Sequence, residues 1–90
     1  MSPEARAVYD AGLALWRYYH AQPNAIADAS FYDIRLHFQG TKSTKNGKVQ
    51  MNTESQDATY TELITDLRQK LKDLAKRIEP KVYEYGFLKQ

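Results

Sequence analysis

The sequence predicts an all-α fold, a small helical bundle built around two long antiparallel helices. Three observations carry this expectation. Residues 3–21 are rich in Ala and Leu, with no proline between Pro3 and Pro23. Tyr60, Ile64, Leu67, Leu71, Leu74 and Ile78 recur at alternating steps of four and three residues, the spacing of a helix that packs lengthwise on another. Between these segments lies a polar stretch rich in Gly, Asn, Ser and Thr that reads as a connection rather than as core.

The first helix, about residues 3–21, opens on Ser2-Pro3-Glu4. Ser2 suits the cap, Pro3 the first helical position, where no N–H is needed, and Glu4 the positive end of the dipole. At ~100° per residue, Ala5, Val8, Tyr9, Gly12, Leu13, Leu15, Trp16, Tyr19 and His20 share one face about 160° wide, and bulk assigns that face to the core. Ala7, Ala11, Ala14 and Tyr18 form a second, smooth apolar stripe, while Arg6, Asp10 and Arg17 make a narrow charged strip. An exposed helix face ordinarily carries Lys and Glu. An alanine stripe closed by a tyrosine therefore marks Ala7, Ala11, Ala14 and Tyr18 as the candidate partner-binding set, with the Tyr as anchor.

Gln22-Pro23-Asn24 ends this helix in a turn. Residues 29–39 then read as a short helix: Ser30 and Asp33 have capping-box spacing, Phe31, Ile34 and Phe38 share a face, and Gly40 stops it. The same residues also alternate, with Tyr32, Ile34, Leu36 and Phe38 against Asp33, Arg35 and His37. The alternative is therefore an α+β fold with a hairpin over 31–52, turning at Asn46-Gly47.

Residues 41–56 are expected to form an exposed, disorder-prone loop carrying Lys42, Lys45 and Lys48 at regular spacing. The third helix, about 57–78, is capped by Asp57 or Ser55 and supported by Asp66–Lys70 and Asp73–Arg77 pairs at four-residue spacing. Beyond it, Val82 and Tyr85 continue the apolar stripe through Pro80. This predicts a Pro80-kinked helical appendage ending near Gly86, with Phe87 and Leu88 tucked down.

Ninety residues with 42% hydrophobic and 27% charged content make a single domain over 1–90, whether a whole protein or a piece of a longer one. The absence of Cys removes disulfides and thiolate metal sites and suits the cytoplasm. No run of residues is apolar enough for a membrane span. His20 and His37 lack metal-pair spacing, the four glycines are scattered singly, and no serine has a nucleophile context. Asp33 and His37, four residues apart, read as a surface pair. No enzyme activity and no cofactor is expected. The second apolar face of the first helix and the aromatic tail from Val82 to Leu88 favour a non-catalytic protein-interaction or assembly module that self-associates, as a homodimer or larger assembly, or docks another protein. The alternative is an accessory nucleic-acid-binding domain in which Arg35, Lys42, Lys45 and Lys48, with the bases of the third helix, grip phosphate. The net charge of +2 permits that partner without arguing for it.

Overall fold

A computed structural model describes residues 1–88, with side-chain surroundings described through residue 77. It holds three helices and one small sheet: α1 (Pro3–His20), α2 (Phe31–Gln39), the strands β1 (Thr41–Ser43) and β2 (Val49–Met51), and α3 (Ala58–Leu88). The fold is mostly helical, as expected, with an antiparallel hairpin added in the stretch expected to be a loop.

Each helix starts where local chemistry satisfies its free N–H groups. The Ser2 hydroxyl accepts from Ala5 N at 3.1 Å, with Pro3 just inside the helix. Ser30 and Asp33 form a reciprocal capping box, which settles residues 31–39 as helix. Asp57 caps α3 by accepting from Tyr60 N at 2.9 Å. Ser55 supports it from behind, accepting from Asp57 N and donating to Phe38 O.

The hairpin pairs Thr41 with Met51 and Ser43 with Val49. Asn46-Gly47 is its turn, as the sequence signals, but the first strand is 41–43 rather than 31–38. Gly47 takes a left-handed φ of 74°, which a side chain disfavours. The sheet is pinned to the helices by a reciprocal amide contact: Gln39 Nε2 donates to Asn52 O, and Asn52 Nδ2 donates to Gln39 O. Gln39 is buried, and its Oε1 accepts from the Tyr60 hydroxyl at 2.6 Å and from Arg35 Nε at 3.3 Å, so its polar atoms are satisfied.

Helices α1 and α3 lie antiparallel, clasped at both ends. The Tyr18 hydroxyl donates to both carboxylate oxygens of Asp57, at 2.8 and 3.0 Å, and Arg77 Nη1 donates to Glu4 at 3.0 Å. Arg77 thus reaches Glu4 across the helix pair rather than Asp73 on its own helix, whereas Asp66–Lys70 forms as expected, at 3.4 Å. The described core consists of Ala11, Leu15, Tyr19, Ile34, Tyr60, Ile64 and Leu67.

Two expectations need correction here. Trp16 and Tyr9, assigned to the core face, are 47% and 55% exposed, while Ala11 is buried. Relative to the expected orientation, α1 is turned by about 100°, one residue's step. The cause lies at its C-terminal end. Tyr18 and Tyr19 are adjacent, and both are held inward. Tyr18 is fixed by Asp57 and stacks on Phe38 at 5.5 Å. Tyr19 packs edge-on against Phe38 and His37 and accepts from Ile26 N at 2.8 Å. Phe38 in turn stacks on Tyr60 at 4.5 Å. Directing both tyrosines inward sets the helix phase, and that phase points Trp16 out.

The second correction is that the third helix and the helical appendage expected beyond Pro80 are one element, α3, which runs to Leu88. The expected packing of Val82, Tyr85, Phe87 and Leu88 lies outside the residues whose side chains are described.

Candidate interaction face

The rotation of α1 decides which of its surfaces is available. Its residues carry apolar side chains around about 260° of the circumference, at ~100° per residue, and α3 with α2 covers only part of that arc. Of the predicted partner-binding set, Ala11 is in the core and Tyr18 is half-buried and bonded to Asp57. Ala7 is half-buried beside Lys70 and Asp73 of α3. Only Ala14 is exposed. The alanine stripe is therefore largely occupied by the fold itself.

What stays open is the opposite flank. Val8, Tyr9, Gly12, Leu13 and Trp16, with Leu67 of α3 at the rim, line an open groove of about 420 Å³. Gly12 sits at its middle, and a Cβ placed there would meet nothing within 4 Å. Tyr9 and Trp16 stand as exposed rings on either side of that gap. Trp16 is held by its neighbour: its ring lies 3.9 Å from that of His20, tilted by 32°. The His20 nitrogens lie 2.9 Å from Trp16 O and 3.0 Å from Ile26 O, tying the following turn to the helix end. The sequence did contain this face, since its residues are those grouped as the broad stripe. The phase of the helix, set by long-range ring contacts, was the missing information.

Charged groups flank the face along one side. Arg6 Nε bonds Asp10 at 3.2 Å, both largely exposed, and the Arg6 guanidinium lies 5.9 Å from the Tyr9 ring centre. Arg17 continues the strip, exposed, and no described ion pair includes it.

A second, polar crevice of about 590 Å³ lies at the hairpin base, lined by Gln22, His37, Lys42, Glu54 and Asp57 among others. Of the titratable groups in its lining, Asp57 is engaged in structure. The backbone N–H of Tyr60, then the Tyr18 hydroxyl, hold the Asp57 carboxyl below the usual carboxylate range. The Tyr18 phenol is correspondingly raised, first by that bond to Asp57. Asp33 is likewise lowered by the Ser30 backbone N–H and hydroxyl, so it serves the cap of α2 rather than a pair with His37. Among the described residues, no cluster of three or more His, Cys, Asp or Glu is arranged to hold a metal ion. Lys42, Lys45 and Lys48 are all exposed on the hairpin, while Arg35 is half-buried and turned to Gln39.

No protein-family model, curated protein or solved structure matches the chain. Its function must therefore be argued from these surfaces. No described helix is long and apolar enough to cross a membrane.

Proposed function

We propose that the chain is a non-catalytic protein-interaction or assembly module, working in the cytoplasm without a cofactor, and that its docking surface is the outer face of α1. The observation that supports this reading is the pair of exposed rings, Tyr9 and Trp16, flanking an open glycine on a face with no charge at its centre. Scattered exposed apolar residues need no explanation, but a contiguous aromatic groove on a rigid helix is the usual form of a partner site. The alanine stripe no longer serves as the docking surface, because Ala11 and Tyr18 are already committed to the core.

Site-specific photo-crosslinking in the cells that make the protein tests this. A benzophenone side chain at Tyr9 is expected to give discrete protein adducts, and one at exposed Ala14 none. Equal labelling from both positions, or none from either, contradicts the reading.

A second reading is supported by the hairpin. Lys42, Lys45 and Lys48 stand exposed on an ordered two-stranded projection, and no acidic residue occurs from Gly40 to Thr53. Such a projection can neutralise phosphates in a groove or along a single strand. Titration with DNA and RNA at two salt concentrations tests it. Salt-sensitive binding abolished in the triple Lys→Ala variant supports it, and no binding at low salt removes it.

A further inference from the structure

We propose that the cleft between α3 and the segment following β2 is a binding site for a small phosphate group, held by Arg68 and Arg35. The proposal goes beyond both readings above, since it uses neither the outer face of α1 nor the hairpin lysines.

The cleft has a volume of about 270 Å³. Thr53 and Glu54 supply one wall, and Thr65 and Arg68 of α3 supply the other. Its inner end is made by Gln39 and Tyr60, both buried. Two guanidinium groups converge on that end. Arg35 Nε donates to the same Gln39 Oε1 that accepts from the Tyr60 hydroxyl, at 3.3 and 2.6 Å. Arg68 lines the cleft itself. Burial raises the Tyr60 phenol, and the charges of Arg35 and Arg68 both act against that rise, so both are felt at its oxygen.

These two cations lack the partners that the other helical bases have. Lys70 has Asp66 four residues before it, but neither Arg35 nor Arg68 has an acid three or four positions away. Neither takes part in a described ion pair. Glu54 is the one carboxylate in the lining; it is exposed and also borders the neighbouring polar crevice. Asp57, just before α3, is committed to the helix cap and to Tyr18. Two guanidinium groups against one exposed carboxylate leave the cleft positive.

The supply of donors selects phosphate over carboxylate. Arg35 retains both Nη groups and Arg68 its whole fork, and the Thr53 and Thr65 hydroxyls make no described hydrogen bond. Together they exceed the roughly four lone-pair positions of a carboxylate. A phosphate group presents three strong acceptor oxygens in different directions and suits guanidinium forks. Seated there, it joins α2 and the end of the hairpin to α3.

Calorimetric titration with inorganic phosphate, at an ionic strength held constant with sodium chloride, tests this. Saturable binding at one site is expected, with a Kd on the order of 1 mM. Arg68→Gln should weaken it about tenfold or more, through loss of charge-assisted hydrogen bonds. Arg68→Lys keeps the charge but not the fork and should recover only part of that loss. Glu54→Gln removes the opposing charge and should tighten binding severalfold. The triple Lys→Ala variant of the hairpin should bind like the wild type. Arg68 and Glu54 are exposed, so their variants are expected to fold, which circular dichroism checks.

Absence of saturable binding in the wild type overturns the proposal, as does an Arg68→Gln chain that binds equally well. Binding that is lost in the hairpin variant and kept in Arg68→Gln places the anion on the lysines; that result overturns the cleft and supports the hairpin reading.

Discussion

Asp57 joins the start of α3 to the end of α1. Its carboxylate caps α3 through Tyr60 N and receives the Tyr18 hydroxyl from the end of α1. Asp57→Ala is therefore expected to cost about 1–2 kcal/mol, the upper range for an N-cap, measured by urea denaturation. Tyr18→Phe keeps the stacking on Phe38 and should cost less. The pH dependence follows from the direction of the shifts. The Asp57 carboxyl is lowered in the folded chain, so the unfolded chain binds its proton first as pH falls. Its stabilisation is full above the ordinary carboxylate range and is lost as pH drops through that range and below. Asp57→Asn should flatten the acid limb of the stability profile. Tyr18 is raised, so its contribution holds at neutral pH and fades only as pH climbs past the ordinary phenol range. Equal acid sensitivity in wild type and Asp57→Asn would sink this assignment.

At the scale of elements, the starts of the helices were legible in the sequence because caps are local. Ser2-Pro3, the Ser30–Asp33 box and Asp57 all act within three residues. The first half of the α3 stripe was legible too, since Tyr60, Ile64 and Leu67 are buried at the spacing that predicted them, whereas Leu71, expected on the same stripe, is 46% exposed. The rotation of α1 was not. It depends on Tyr18 meeting Asp57, thirty-nine residues away, and on Tyr19 meeting Phe38, and helical periodicity cannot say which of two apolar stripes meets a partner. The hairpin was half legible: Asn46-Gly47 marked its turn, but three-residue strands are too short to alternate convincingly. Opposite outcomes on the two faces of α1 check the rotation. Ala11→Glu puts a carboxylate into the core and is expected to destabilise by more than about 3 kcal/mol. Tyr9→Lys changes an exposed ring and should stay within about 1 kcal/mol by thermal denaturation. Gly12→Ala should stabilise the monomer by up to about 1 kcal/mol, since the new methyl meets open space within a helix. Comparable losses for Ala11→Glu and Tyr9→Lys would mean that α1 sits in the other phase.

The whole molecule is elongated, with a Cα radius of gyration of 17.1 Å and extents of 50 × 35 × 23 Å. A compact chain of this length would have a radius near 12 Å. Helix α3 spans 31 residues against 18 for α1, and Arg77 already pairs with Glu4 at the start of α1. The described core is correspondingly small, resting on the rings of Tyr19 and Tyr60 and a few aliphatic residues. In a helix pair this slender, α1 has more apolar circumference than the described residues cover, and covering the remainder is the role proposed for a partner. Trp16 is the only tryptophan, and it stands on that face, so its accessibility to acrylamide reports directly on whether the face is covered. In dilute solution the quenching is expected to be efficient, as for a half-exposed indole, and to fall when a partner docks. Quenching in the dilute chain as weak as that of an indole sealed in a core would contradict the account.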